Sequence, residues 1–445
     1  MTRKMMGVSI LAVGALLLCS LPMVAADQAP QAILQHATAF GSGHVDVGVA
    51  PPPFGLHLAN PVRRIPKNPV SPVNDPVVQR GSVTPTAPNL VYHVLGVGVG
   101  FPNYSVPDAP PDTTMAVGDT EVVQWVNVSY ADFNKSTGAI IPLNGQDSTL
   151  GNTIWHALLP GTLCANNNDG DPIVKFDRAA HRWVMHQNVF VGSYAVCIAV
   201  SQTATFSDNM WNAYQFPVVG GGFPDYPKMG VWSSGGASDG YFENWNNFGV
   251  GGGGYVGPVM CGYDRAKMLA GDPSAEQICF QLSNNPGNNG FYQDSLLPAD
   301  RDSPTAPPAT EDEFFIGSIG DCLGAGCPAD PNSVLSLYSM HINNWSTGSA
   351  SMTGNGDTQL LNIATFTPSC NGNYGGACVP QQGVTDKLDS LGDRLMYRFA
   401  YWEDRPQANA TATPPIPAPV QHLYVDWDVW NAGTSAMGVR WMELH

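Results

Sequence analysis

The chain has 445 residues, of which 86 are Gly or Pro and only 12% are charged, with 36 acidic against 19 basic residues for a net charge of −17. Average usage is roughly 12% for Gly plus Pro and about 25% for charged residues, so this is a turn-rich, charge-poor chain, and its acidic excess excludes the basic stripe of a nucleic-acid binder. The acids are 29 Asp against 7 Glu, a balance that favours turns over helix surfaces, while a hydrophobic fraction of 43% excludes a disordered chain.

Residues 1–26 read as a secretory signal peptide, with Arg3 and Lys4 as the basic start, Val8 to Leu18 as the apolar run and Val24-Ala25-Ala26 as the cleavage pattern. The run is too short to span a bilayer and no later segment is long enough, so the expectation is a secreted, periplasmic or cell-surface protein with no stable membrane span. Residues 27–90 carry 11 Pro without sustained periodicity and read as a Pro-rich leader or linker. The β domain is expected over 91–445.

From there the pattern is short strands at close spacing. Asp112 opens a first unit, with strands over Thr114 to Val117 and Glu121 to Ser129. Asp171 opens a second, with strands over Pro172 to Phe176, Arg182 to Val189, Tyr194 to Ser201 and Trp211 to Phe216. Asp225 opens a third: Lys228 to Trp232, Tyr241 to Asn246, Val256 to Tyr263 and Gln277 to Leu282. Two later units open at Glu313 and Asp393 and carry long insertions, among them a Pro/Ala/Thr tract over 407–419. Four antiparallel strands in about 45 residues is the size of one propeller blade. The fold expectation is therefore all-β, a β-propeller of five or six four-stranded blades. A sixth would form if Leu90 to Gly100 paired with the C-terminus. The last strand, Gly438 to Leu444, has no fourth strand after it, so the ring is either closed by the N-terminal strand or incomplete at its C-terminus.

Eight cysteines follow the signal, and an even number in an exported chain predicts disulfides between neighbours: Cys164 with Cys197, Cys261 with Cys279, Cys322 with Cys327, and Cys370 with Cys378. No Cys-x-x-Cys or His-Glu-x-x-His is present, so no metal site is expected. The segment Ala165 to Asp171 has the composition of a calcium loop, but its first position is Ala rather than an acid; it reads as an Asn/Asp/Gly turn, and no cofactor is expected. Gly249 to Gly254 reads as a flexible hairpin loop.

The segments Asp169-Gly170-Asp171-Pro172-Ile173-Val174-Lys175-Phe176-Asp177, Phe223-Pro224-Asp225-Tyr226-Pro227-Lys228-Met229-Gly230-Val231-Trp232, Asp264-Arg265-Ala266-Lys267-Met268-Leu269-Ala270-Gly271 and Leu388 to Arg398 resemble a family of exported bacterial β-propeller-like proteins of unassigned function, over about residues 107 to 445. The resemblance implies a secreted propeller-like domain, sometimes joined to surface-associated modules, and no particular reaction. Members of that family continue past the position matching Arg440 to Glu443 with at least one more sheet.

In a propeller the residues opening the innermost strands face one mouth of a central funnel. Asp112, Asp171, Asp225 and Asp393 are the candidate catalytic residues on that ground, because crowded carboxylates raise one another's pKa and paired carboxylates serve glycoside cleavage. The competing reading of each is an Asp that accepts hydrogen bonds from a turn. Lys228, Arg394 and Arg398 are candidate anion clamps for an acidic sugar, against the alternative of ion pairs between blades. Trp232 and Trp245 are candidate sugar platforms, against core packing. The functional expectation is a secreted protein acting on an extracellular glycan by hydrolase or lyase chemistry; the alternative is a non-catalytic cell-surface propeller that binds glycan or a protein partner.

Overall fold

The structure is a computed structural model that describes residues 30–45, 69–77, 89–104, 110–190, 192–251, 253–282, 291–322, 331–353, 360–392, 394–404 and 420–445. The signal segment, Cys327, Asp393 and the 407–419 tract lie outside the described residues. Alternating burial is plainest in Gln421–Asn431, where Leu423, Val425, Trp427 and Val429 are buried while Tyr424 and Asp426 are exposed. Ala195–Ser201 is instead buried at every position, as a strand between two covering layers must be. Helices are confined, among the described residues, to short pieces such as Thr153–Leu158 and Arg265–Ala270. The second is capped by the Asp264 carboxylate, which accepts from Lys267 N, and ends on Gly271 at a φ of 69°.

The protein is all-β, and its antiparallel sheets follow one another along the chain. The first holds Thr114–Val117, Glu121–Val126, Ser129–Asn134 and Ile140–Ile141, with Thr149–Leu150 also on Ser129–Asn134. The second runs Ile173–Asp177, Arg182–Val189, Ala195–Ser201 and Met210–Pro217; the third runs Phe223–Trp232, Gly240–Phe248, Tyr255–Asp264 and Glu276–Gln281. A fourth group, Leu297–Arg301, Glu313–Cys322 and Val334–Asn344 with two short outer strands, joins a fifth, Met396–Glu403, Gln421–Asn431 and Ala436–Leu444. The junction is parallel pairing of Ala299 to Arg301 with Phe399 to Tyr401. Thr114–Val117 packs on Ile173–Asp177, that strand on Phe223–Trp232, and that on Leu297–Arg301. Apolar cores fill the spaces between neighbouring sheets: Trp125, Trp155, Trp183 and Trp211 form one, Tyr214, Trp245 and Tyr263 another, and Trp232, Phe315, Tyr401 and Trp427 a third.

Four expectations change. Glu313 does not open an innermost strand: that place belongs to Leu297–Arg301, and Glu313 begins the second strand outward. The true inner strand is short, contains Pro298 and ends in Asp300-Arg301, so its charges mask an apolar pattern. The continuous strand expected over Glu121 to Ser129 is two strands, because Asn127 adopts a φ of 49° and turns the chain. The leader contributes two outer strands, Ile33–His36 on Glu276–Gln281 and Ala39–His44 on Met210–Pro217. Further along, Asp75 accepts from Arg440 at 2.9 Å. Finally, Leu90 to Gly100 does not pair with the C-terminus: Val97 packs with Phe101 and Phe133, and its N–H donates to Gln124 Oε1 at 2.7 Å.

Three disulfides form as expected, Cys164–Cys197, Cys261–Cys279 and Cys370–Cys378; the fourth expected pair involves Cys327. Such bonds belong to an oxidising compartment. No helix among the described residues is long and apolar enough to cross a membrane. The glycine loop closes the Gly240–Phe248 and Tyr255–Asp264 hairpin, with Gly249 N donating to Gly254 O at 2.9 Å.

Candidate functional site

Three chain segments enter their innermost strands through left-handed residues, Asp112 at φ 41°, Asp171 at φ 47° and Tyr226 at φ 56°. Aspartate tolerates this conformation because its short side chain can bond locally, and strained backbone of this kind gathers at sites of function. A cavity of 420 Å³ opens there, lined by Asp112, Asp171, Tyr226, Lys228, Tyr397 and Arg398 among others.

The Asp112 and Asp171 carboxyls share a hydrogen bond, and Asp112 is pushed up to about 8 by burial, by the charge of Asp171 and, more weakly, by Asp225. Lys228 opposes part of that rise. Its own ammonium is pulled down to about 8, burial outweighing the attraction of Asp171 and Asp112. Burial and Asp171 thus favour the neutral carboxyl on Asp112, and burial weakens the hold of Lys228 on its proton. Lys228 Nζ sits 3.6 Å from the centre of the Tyr226 ring and donates to Pro227 O at 2.8 Å, while Tyr226 N donates to Asp171 Oδ2 at 3.3 Å. The Tyr226 ring is thus held between two cations, since the Arg394 guanidinium lies 4.5 Å from it.

Not every expected residue reaches the cavity. Asp225 is half-buried and acts on Asp112 and Lys228 through its charge, without lining the cavity. Asp393 lies outside the described residues. Arg394 is 2% exposed, so it supports Tyr226 rather than facing solvent. Arg398 lines the cavity, but its guanidinium pairs with Asp300 at 2.6 Å and Asp302 at 2.7 Å. That is the ion pair between strands rather than a free clamp. Trp232 and Trp245 are corrections: both are fully buried, Trp232 at 4.9 Å from the Tyr401 ring and Trp245 in the core between the second and third sheets. Their large apolar area is worth more between sheets than at a mouth.

Below the mouth lies a charge cluster that the sequence did not announce. Lys175 Nζ contacts Asp300 Oδ2 at 2.5 Å and sits 4.4 Å from the Tyr397 ring centre; Val231 N donates to Asp300 Oδ1 at 3.1 Å. Burial would raise Asp300, but Lys175 and Arg398 outweigh it and hold its carboxyl below the ordinary value. Burial pulls Lys175 down to about 8 against the attraction of Asp300. The available signal was a lone Lys inside the apolar run Ile173 to Phe176.

Elsewhere, Asp169 Oδ2 accepts from Phe190 N at 2.7 Å and Asn168 Nδ2 donates to Val128 O at 2.8 Å, so these members of the calcium-like segment act as turn and strand anchors. His422, Glu443 and His445, on neighbouring strands of the fifth sheet and at its end, bring one ligand atom each to within 4.8 Å of the others. They are the described group best able to hold a metal ion, and sequence spacing did not mark them.

No protein-family model matches the chain, and no curated protein matches its sequence. Among solved structures, an exo-β-1,3-galactanase from Clostridium thermocellum aligns over 75% of this chain at 9% identity with a TM-score of 0.31. The alignment spans 59% of that enzyme's length. A GH43_1 enzyme from Xanthomonas citri in complex with xylose aligns over 75% of this chain and 87% of its own at 8% identity and a TM-score of 0.27. An endo-1,5-α-L-arabinanase from Thermotoga petrophila gives 12% identity, 75% and 95% coverage and a TM-score of 0.23. Likenesses of this strength carry no argument about the reaction, which rests on the site's own residues.

Proposed function

We propose that this chain is a secreted five-bladed β-propeller that acts on an extracellular glycan at the mouth formed by Asp112, Asp171 and Lys228. The observation that carries the reading is the contact of the Asp112 and Asp171 carboxyls in this cavity, where burial and Asp171 push Asp112 up to about 8. A general acid for glycosidic oxygen must be protonated at working pH, and burial beside Asp171 supplies that condition. A cavity of 420 Å³ suits one or two sugar rings, with Tyr397 among its lining residues. In this scheme Asp112 gives its proton to the leaving oxygen as the glycosidic C–O bond breaks, and water supplies the new hydroxyl. Asp171 holds the proton in place, and Lys228 offsets the negative charge left on the pair. Asp225, outside the cavity lining but close enough to act on Asp112 and Lys228 by its charge, is the third carboxylate of the mouth and the one proposed to receive the water's proton.

One feature favours the alternative, a non-catalytic glycan-binding propeller. Asp112 and Asp171 are in hydrogen-bond contact, whereas the two carboxyls of glycosidases stand about 5 to 9.5 Å apart, so this pair carries a single proton and cannot by itself be both acid and base. Release of reducing ends from a panel of neutral and acidic polysaccharides separates the two. Activity lost in Asp112→Asn and Asp225→Asn with the fold intact supports the enzyme. Binding without product across the panel supports the binder, and neither binding nor product removes both.

A further inference from the structure

At the opposite, C-terminal ends of the innermost strands lies a larger cavity of 710 Å³, whose lining includes Lys135, Arg178, Arg301, Asp302, Arg398 and Trp402. In a chain of net charge −17 this mouth inverts the sign: four fixed cations face Asp119 and Asp302. Arg398 is neutralised by its two aspartates. The other three cations have no carboxylate in ion-pair contact among the described residues. Lys135 Nζ donates to Gly118 O at 2.8 Å. Arg301 donates to the carbonyls of Ser233 at 2.8 Å, Ser303 at 3.1 Å and Pro304 at 2.7 Å. Arg178 is exposed and makes no hydrogen bond or ion pair among the described residues. Carbonyls orient a cation without cancelling its charge, so the mouth is short of an anion. Trp402 stands beside these cations at 41% exposure, an unusual position for an indole in a chain whose other large aromatics are mostly buried.

We propose that this second mouth binds an anionic sugar, with its carboxylate taken by the Arg178 fork in the field of Arg301 and Lys135 and its ring laid on Trp402. Guanidinium matches a carboxylate in bidentate geometry, an indole face suits the apolar face of a pyranose, and the volume lies within the range of small-ligand sites. Nothing in this assignment depends on the acid pair at the other mouth.

The test is calorimetric titration of the full chain with trigalacturonate, with neutral galactotriose and with sodium sulfate. The expected result is trigalacturonate binding that weakens with added salt and exceeds galactotriose binding by roughly 10-fold. Arg178→Gln should lose most of that margin, and Trp402→Ala should weaken both trimers. Both substituted side chains are exposed, so the melting temperature should hold. Equal binding of the two trimers, absence of trigalacturonate binding, unchanged affinity in both variants, or sulfate binding as tightly as trigalacturonate would each overturn the proposal.

Discussion

The two mouths of the strand axis are built from the same strands read in opposite directions, and they solve opposite electrostatic problems. At the N-terminal ends, Asp112 and Asp171 are pressed together, and the crowding is relieved by a retained proton and by Lys228. At the C-terminal ends, Lys135 and Arg301 are fixed by neutral carbonyls and remain uncompensated. Between them, Lys175 and Arg398 pair with Asp300 and Asp302 in a cluster whose charges cancel. The difference teaches that charge in a charge-poor chain is positional: carboxylates gather at one mouth and cations at the other.

The sharpest way to break this contrast is at the shared proton. Asp112→Asn should reduce glycan turnover by about 10²-fold or more, the usual weight of a general acid, with little change in melting temperature; reducing-end assays check it. Next in size, Asp300→Ala strands the buried Lys175 without its carboxylate and should cost about 3–5 kcal/mol in denaturant unfolding. Trp232→Ala should cost a similar ~3–5 kcal/mol through cavity formation, and a glycan-binding defect without that loss of stability would restore Trp232 as a platform. Replacing Cys261 and Cys279 together by Ser should cost about 2–4 kcal/mol, read as a lower denaturant midpoint.

A separate effect is in pH dependence. Because the folded pKa of Asp112 is raised from 3.8 to about 8, the folded state keeps a proton that the unfolded chain releases. Its stabilising contribution is fully present below about pH 4 and is lost as pH rises to about 8, and Asp112→Asn should remove that slope. Lys228 contributes in the other sense, its folded pKa being lowered from 10.5 to about 8, so its cost is greatest below about pH 8 and fades as pH rises to about 10. Urea unfolding across pH checks both.

Much of the fold was legible because the second and third sheets present apolar runs of the right length, bounded by Gly, Asn and Pro turns. Arg182–Val189 falls where the pattern puts it. The fourth inner strand was not legible, since Leu297–Arg301 ends in charges whose partners, Lys175 and Arg398, are distant in sequence. The upstream strands Ile33–His36 and Ala39–His44 were hidden for a similar reason: an outer strand is held by backbone pairing with an existing edge, and its own composition says little. At the site, the recurring Asp before an inner strand pointed to Asp112 and Asp171, which line one cavity. Residue type alone could not distinguish a Trp between sheets from a Trp at a mouth, which is why Trp232 and Trp245 were expected at the site although both are fully buried.

The central claim, a proton held on Asp112 at neutral pH by burial and Asp171, is tested most directly by infrared titration of the wild-type chain against Asp112→Asn. The account predicts that the wild-type minus Asp112→Asn difference spectrum carries a protonated-carboxyl band that persists at pH 7, disappears as pH rises through about 8, and titrates lower when Asp171 is replaced by Asn. An Asp112 carboxyl already ionised at pH 5, with no difference between the wild-type and Asp112→Asn spectra in that band, would contradict it.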